Sequence, residues 1–291
     1  MRIVLVHGIN QEGKSEAKIR AEWLQDLKHG LGGTGIAADI DVHAPFYGDL
    51  LKQLTDGAGS AAAAQGTGGA LDTDELMFLS SALNEQAQAA GVERKDIMAE
   101  ERAQAAGAPV EQSLLMNRRL NAVLRALEKV SPVHGDVVMH LLRQAYAYLK
   151  KPGVGGQVDA VVRPVLDAGP AIIVAHSLGT VVTFKLLRTL ALEGRPLSVP
   201  LFVTAGSPLP LMAVQAALGP AFLRPQGVGR WLNAVDPADV IALGQGLDKS
   251  NFADGIENIL DIRHVDDNPH SIQGYLGDSR VASAIAGGSG I

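Results

Sequence analysis

The stretch that most constrains the fold is AIIVAHSLGTVV at residues 171–182, where an apolar run meets a serine and then a helical pattern. The run over 171–175 is short and rich in β-branched residues, which is typical of a buried strand. The residues from Gly179 to about Glu193 favour a helix. The chain therefore turns sharply at Ser177. Either small residues simply make this turn, or Ser177 is held at its tip for a chemical reason.

The residues around Ser177 favour the chemical interpretation. A serine hydroxyl is a poor nucleophile until a base takes its proton, and it must stand clear of the sheet to meet a substrate. A tight strand-to-helix turn exposes the hydroxyl, but its crowding requires small residues two positions before and two after the serine. Ala175 and Gly179 occupy those positions, with His176 beside the serine, although glycine is more usual than alanine at the first. The helix N-terminus also favours developing negative charge.

Composition limits the classes of protein that remain. The chain has 291 residues, 47% of them hydrophobic and 19% charged, as expected for a large globular domain or a domain with an insertion. A net charge of −6 disfavours nucleic acid or an anionic membrane as the main partner. The absence of cysteine excludes disulfides, zinc–thiolate sites and cysteine nucleophiles. No run suggests an integral membrane segment or a signal peptide, so a cytoplasmic location is expected, with export lacking a cleaved signal left open.

An alternating α/β pattern begins and ends the chain. A strand over 2–6, a helix over 14–29 and a strand over 36–44 form a βαβ unit. After about 153 the strands predicted are 171–175, 199–204, 230–235 and 257–264, and the helices are 156–168, 179–193, 209–218 and 270–286. The pattern predicts an α/β fold with about six mostly parallel strands flanked by helices.

The region 51–150 has a different pattern. Residues 57–70 are Gly/Ala-rich and are predicted to be flexible, and the reading from about 74 to 150 is helical. We therefore predict an α/β core of residues 1–50 and 151–291, with 51–150 inserted as an α-helical cap over an active site. The alternative is that the apolar stripes of these helices only pack a core.

A second chemical element is VHGIN at 6–10, at the end of the first predicted strand. Acyl transfer places negative charge on a carbonyl oxygen in the transition state, and backbone N–H groups that point at this oxygen stabilise it. We predict that Leu178 supplies one N–H group and Ile9 the other, in the turn after His7 and Gly8. Gly8 allows a close approach of the backbone. The alternative is an ordinary glycine turn.

A serine nucleophile also needs a base and a carboxylate that orients the base. His270 is the candidate base, because it follows the last predicted strand at the carboxyl edge of the sheet. His264, inside that strand pattern, is the alternative. The carboxylate is expected between serine and histidine in chain order, where Asp236 and Asp239 both follow a predicted strand.

These segments together resemble the α/β-hydrolase superfamily, and within it the lipase-like and inositol-deacylase-like serine hydrolases. The matching segments are VHGIN at 6–10, AHSLGT at 175–180, TAGSPL at 204–209, NAVDPADVIA at 233–242, and His270 with Tyr275 and Leu276. The resemblance covers about 1–50 and 153–291 and does not reach 51–150. It favours Asp239 over Asp236, because the Asp-Val-Ile step resembles the one at the catalytic carboxylate of lipase-like enzymes. Gly206-Ser207-Pro208 is expected near the pocket without a catalytic role.

The resemblance implies an enzyme that hydrolyses a carboxylic ester or thioester through an acyl-enzyme, with Ser177 as nucleophile, His270 as base and Asp239 as orienting carboxylate. The residues expected to support them are His7, Gly8, His176 and Gly179. No metal or cofactor is expected, and the apolar helices favour a small-molecule or lipid ester as substrate. An amidase or peptidase with the same triad remains an alternative, as does a non-catalytic interaction module on a hydrolase scaffold.

Overall fold

The architecture is a parallel sheet between two layers of helices. A computed structural model describes residues 2–34, 40–63, 72–104, 112–220, 222–264 and 267–288. These residues contain six strands, all parallel, in the order β2-β1-β3-β4-β5-β6. The strands are β1 (Arg2–Val6), β2 (Asp41–His43), β3 (Ala171–His176), β4 (Val199–Ala205), β5 (Val228–Ala234) and β6 (Glu257–Ile259). The predicted α/β class with about six parallel strands flanked by helices is confirmed.

Eleven α-helices and a 3₁₀ helix, Val240–Ala242, lie within the described residues. The α-helices are numbered in chain order. They are α1 (Glu16–Gly30), α2 (Gly48–Ala63), α3 (Thr73–Ala89), α4 (Arg94–Gln104), α5 (Gln112–Glu128), α6 (Gly135–Lys150), α7 (Val154–Asp167), α8 (Leu178–Leu192), α9 (Met212–Leu218), α10 (Ile272–Gly277) and α11 (Ser279–Gly288). Among these residues, no helix has both the length and the apolar character needed to cross a membrane.

The two faces of the sheet bury two separate hydrophobic clusters. Successive residues of a strand point to opposite faces, so Ile3 and Leu5 join one cluster while Val4 and Val6 join the other. The first cluster includes α1, α10 and α11, and the second includes α6, α7 and α8. Since both faces are covered, the central strands read as continuous apolar runs instead of alternating with polar residues.

The inserted helices belong to the second cluster. Leu79 and Leu83 of α3 and Leu141 of α6 are buried in the same cluster as Val4 and Val6 of the central sheet. The apolar stripes predicted for this region thus pack against one another and against the core. Whether the segment also acts as a cap stays a prediction.

The strand order reverses between β1 and β3. From β1 the chain passes to β2 on one side, and the later strands β3 to β6 follow on the other side. At such a reversal the connections leave in opposite directions, which opens a crevice at the carboxyl ends of the two strands. His7 and Gly8 follow β1 at this edge, and Ser177 follows β3.

Of the Gly/Ala-rich stretch 57–70, the residues up to Ala63 belong to α2, because alanine is a strong helix former. Residues 64–70 lie outside the described part, and the flexibility of the stretch stays a prediction. Two predictions about individual elements were wrong. The last strand ends at Ile259, so His264 lies in a connection instead of a strand. The C-terminal helix is two helices, interrupted at Asp278, whose backbone is extended. The second strand, predicted over 36–44, is observed at Asp41–His43, and residues 35–39 lie outside the described part.

Candidate active site

Ser177 stands at the turn between β3 and α8 with a strained backbone. Its φ of 54° and ψ of −130° lie in a region that residues with a side chain rarely adopt. Hydrogen bonds hold it there, since its N–H donates to the carbonyl oxygen of Ala205 at 3.0 Å and its own carbonyl accepts from the Thr180 hydroxyl at 2.7 Å. Strain that the surroundings maintain in this way is typical of functional positions.

The space around this turn admits only small residues. A Cβ atom at Gly179 would lie 2.3 Å from the carbonyl oxygen of Val6 and 2.5 Å from that of His7. A Cβ atom at Gly8 would lie 2.5 Å from the Cβ of Ser177. The two predicted turns therefore pack directly against each other, and both glycines are required by this close approach.

The structure brings Ser177, His270 and Asp239 into one chain of hydrogen bonds. His270 Nε2 lies 2.8 Å from Ser177 Oγ, and His270 Nδ1 lies 2.8 Å from Asp239 Oδ2. All three residues are buried, with exposed fractions of 0%, 5% and 0%. Because a carboxylate only accepts hydrogen bonds, Nδ1 carries the ring proton and Nε2 is left to accept from the serine hydroxyl.

Two further donors orient the Asp239 carboxylate. The Ile241 N–H donates to Oδ1 at 3.0 Å, and the Tyr275 hydroxyl donates to Oδ2 at 2.7 Å. Burial, together with the nearby Asp239 charge, raises the pKa of Tyr275 well above its ordinary value, so the phenol keeps its proton. The carboxylate is thus held by three donors when the His270 ring is included.

Gly206 lies against the hydrogen bond between Asp239 and His270. A Cβ atom at this position would be 2.9 Å from Asp239 Oδ2 and 3.1 Å from His270 Nδ1, and the backbone φ is 54°. The next residue, Ser207, is hydrogen-bonded to the Thr180 hydroxyl at 2.7 Å. These contacts place Gly206 and Ser207 beside Asp239, His270 and Thr180, as expected for the Gly206-Ser207-Pro208 segment.

The alternative carboxylate and base, Asp236 and His264, pair with each other. His264 Nδ1 lies 2.7 Å from Asp236 Oδ2, and His264 Nε2 lies 2.7 Å from the carbonyl oxygen of Ser271. Asp236 Oδ1 accepts from the N–H of Ala238 at 2.8 Å. With both of its nitrogens occupied in this way, the ring of His264 makes no contact with Ser177 in this structure.

His176 contacts the backbone of His270. Its Nε2–H donates to the carbonyl oxygen of His270 at 2.9 Å. Burial lowers the pKa of His176 well below the ordinary value, and the neighbouring His270 adds to the effect. A neutral ring with its proton on Nε2 follows, since a carbonyl oxygen can only accept.

His7 shapes the turn after β1. Its Nδ1–H donates to the carbonyl oxygen of Gly8 at 2.8 Å, and its Nε2 accepts from the N–H of Tyr47 at 3.2 Å. The Tyr47 ring stacks on the imidazole with ring centres 4.0 Å apart, and its hydroxyl donates to the His7 carbonyl. Burial lowers the pKa of His7 to about 4, so this ring is also neutral.

Two backbone N–H groups lie in the turns that meet at Ser177. In the described part of the chain, the N–H groups of Ile9 and Leu178 have no hydrogen-bond partner. Leu178 begins α8, and the first N–H groups of a helix have no acceptor within it. The Ile9 loop is held by a bond from Gln11 Nε2 to the Ile9 carbonyl at 3.0 Å. Both N–H groups are therefore available to an oxyanion, and their role as its donors stays a prediction.

Comparison with known proteins identified no relative of this chain. No family model, curated protein or solved structure matches the chain. Within the residues that the structure describes, no group of three or more His, Asp or Glu side chains is arranged to hold a metal ion.

Sequence reasoning missed part of the site. The hydrogen bond between Tyr275 and Asp239 could not be predicted from the sequence, although Tyr275 was noted as part of a matching segment. It depends on how α10 packs against the Asp239 loop. The Asp236–His264 pair could have been suspected, since both were weighed as alternatives to the residues that contact Ser177. His176 was named only as a residue of the turn, and its bond to His270 needs the folded chain.

Proposed function

We propose that this protein is a serine hydrolase with an α/β-hydrolase fold that cleaves carboxylic esters through an acyl-enzyme. One observation carries the proposal: Ser177, in a strained turn at the carboxyl edge of a parallel sheet, is hydrogen-bonded to His270, which is hydrogen-bonded to Asp239. Nucleophile, base and orienting carboxylate in this geometry define the serine-hydrolase triad on several unrelated folds.

The reaction begins when Ser177 Oγ attacks the ester carbonyl carbon while His270 Nε2 takes the hydroxyl proton. Asp239 keeps the ring in the required tautomer and stabilises the imidazolium without taking its proton. The N–H groups of Ile9 and Leu178 stabilise the oxyanion, each by about 3–4 kcal/mol.

Collapse of the tetrahedral intermediate breaks the bond to the alcohol, which leaves with the proton from His270. A water molecule then attacks the acyl-enzyme, with His270 again acting as base, and releases the acid. Ser177 regains its proton in that step.

Helix α3 lies over the loops that carry the site. Glu85 Oε2 accepts from the N–H of Met212, which follows β4, at 2.8 Å. Ala89 and Ala90 face Val240 and Leu243, which follow Asp239, across a cavity of about 210 Å³. The position of α3 supports a cap role, and its apolar face favours a small-molecule or lipid ester.

The site is closed in this structure. Ser177 has no exposed surface and His270 has 5%. Substrate therefore reaches the hydroxyl only after covering groups move, so the rate of covalent labelling reports this opening as well as the chemistry.

The test uses a fluorophosphonate probe and p-nitrophenyl esters of graded acyl length, with peptide anilides and thioesters as competing substrate classes. The unaltered protein is expected to be labelled at Ser177, located by mass spectrometry, and to turn over esters. Ser177→Ala is the matched control and is expected to lose both properties. An unlabelled, fully folded protein without turnover would support an interaction module instead, and preferential cleavage of anilides would support a peptidase.

A further inference from the structure

A second carboxylate–imidazole pair lies beside the one that contacts Ser177. His264 Nδ1 is 2.7 Å from Asp236 Oδ2, and the same oxygen faces the backbone N–H of His264 at 3.3 Å. The side chains are nearly inaccessible, with exposed fractions of 2% for His264 and 4% for Asp236. A buried pair of this kind costs desolvation energy, so it calls for a role beyond stability.

The pair holds the chain directly after the proposed base. His264 Nε2 lies 2.7 Å from the carbonyl oxygen of Ser271, and His176 Nε2 lies 2.9 Å from that of His270. Two imidazoles thus hold two consecutive carbonyl groups. Because these carbonyls belong to the backbone that carries the His270 side chain, they determine where its ring stands relative to Ser177.

The ring of His264 is closely packed between Tyr275 and Gly274. It packs edge-on against Tyr275, with ring centres 4.9 Å apart and planes at 80°. A Cβ atom at Gly274 would lie 2.1 Å from His264 Cδ2, so the glycine leaves the space that the ring fills. Since the Ser271 carbonyl oxygen can only accept, Nε2 of His264 is the donor in that contact.

We propose that Asp236 and His264 form a positioning pair for catalysis, in which the Nε2–H of His264 fixes the Ser271 carbonyl and so places His270 on Ser177. The proposal rests on the proposed function. His264 does not touch the reacting atoms and acts through the backbone of His270. A displacement of the base by about 1 Å can reduce turnover about a hundredfold.

Two variants of His264 distinguish the effect of the Nε2–H donor from the effect of the volume of the imidazole ring. His264→Gln places an amide N–H near the position of Nε2 and can still donate to Ser271. His264→Asn places its amide near the position of Nδ1 and reaches Asp236 but not Ser271. Both remove the imidazole ring, so a purely structural role would affect them alike.

The measurement is kcat and KM for p-nitrophenyl acetate, with the melting temperature of each variant. His264→Gln is expected to keep kcat within about threefold of the unaltered protein. His264→Asn is expected to lose about tenfold to a hundredfold in kcat with KM unchanged. Equal kcat in the two variants, or losses that follow their melting temperatures, would overturn the proposal.

A measurement on the unaltered protein covers the case in which His264→Asn does not fold. The proposal expects an Nε2 proton of His264 that is protected from solvent exchange in ¹H–¹⁵N spectra, assigned by its loss in His264→Gln. An unprotonated Nε2 would overturn it. Absence of Ser177 labelling in the unaltered protein would instead contradict the proposed function, so the two failures are distinguishable.

Discussion

The phenol of Tyr275 donates to the same oxygen of Asp239 that accepts the Nδ1–H of His270, at 2.7 Å and 2.8 Å respectively. The carboxylate is therefore held from the α10 side as well as by the proposed base. This contact orients Asp239 toward the imidazole. Tyr275 itself does not touch Ser177 or His270 through its hydroxyl and acts through Asp239.

Tyr275→Phe tests this contact. Loss of one hydrogen bond to a charged group, worth about 1.5 kcal/mol, is expected to lower kcat for ester hydrolysis by roughly tenfold and to leave KM unchanged. The control is Tyr146→Phe, because the Tyr146 hydroxyl bonds to Asp72 at 3.4 Å in the inserted helices. Equal kcat values for the two variants would show that the Tyr275 hydroxyl has no part in orienting Asp239.

Gly206→Ala tests the packing against the Asp239–His270 bond. The new methyl group would lie 2.9 Å from Asp239 Oδ2 and 3.1 Å from His270 Nδ1, so one of these groups must move. Turnover is expected to fall by at least about a hundredfold while the protein stays folded.

The control for this substitution is Gly194→Ala. Gly194 also has a positive φ, 74°, but a Cβ atom there would meet nothing within 4 Å. Both variants share the strain of the left-handed backbone, about 1–2 kcal/mol, and only Gly206→Ala touches the site. Loss of turnover in both, measured beside their melting temperatures, would assign the effect to stability.

Much of the central sheet could be predicted because its strands are buried on both faces. Apart from Arg2 and His176, the runs RIVLV and AIIVAH are apolar, and the predicted β1 and β3 agree with the structure to within a residue. The turn at Ser177 followed from the crowding that allows only small residues at 175 and 179. Edge elements were less accurate, because β6 pairs only through Glu257–Ile259 and local apolar pattern does not define such a short partner.

The choice between the two aspartates and the two histidines could not be made from local pattern alone. Asp236 and Asp239 lie in the same loop, and each finds a histidine 2.7–2.8 Å away. Which pair reaches Ser177 depends on where the fold places His264 and His270 relative to this loop, and that is a tertiary property.

Asp239→Asn and Asp236→Asn distinguish the two carboxylates by activity. Asp239→Asn removes the acceptor that holds the His270 tautomer, and kcat is expected to fall by about 10⁴-fold. Asp236→Asn leaves that contact intact and is expected to cost about tenfold or less. Initial rates with p-nitrophenyl acetate, normalised to the folded fraction, give the comparison. The reverse order of the two losses would identify Asp236 as the orienting carboxylate.

Gln86 in α3 provides a test of packing that is independent of catalysis. Its side chain is fully buried, and neither amide atom has a hydrogen-bond partner among the described residues. An unpaired buried amide costs about 1–3 kcal/mol, so Gln86→Leu is expected to raise the free energy of unfolding by about that amount in urea titrations. Gln157→Leu, at an exposed position of α7, is the control and is expected to have little effect. A lower stability for Gln86→Leu would mean that the amide is paired in solution.

Acid is expected to destabilise the fold through His7. Burial lowers the pKa of His7 from 6.5 to about 4, so the unfolded chain binds a proton between these pH values that the folded chain does not. This contribution to stability is complete above pH 6.5 and is lost as the pH falls toward about 4. The difference between the two pKa values corresponds to roughly 3 kcal/mol in the free energy of unfolding.

Urea unfolding of the unaltered protein and of His7→Gln, at several pH values between about 7 and 4.5, measures this contribution. The difference in free energy of unfolding between the two proteins should shrink as the pH falls. His134→Gln, at an exposed position, is the control, and a pH-independent difference between the unaltered protein and His7→Gln would contradict a neutral, buried His7.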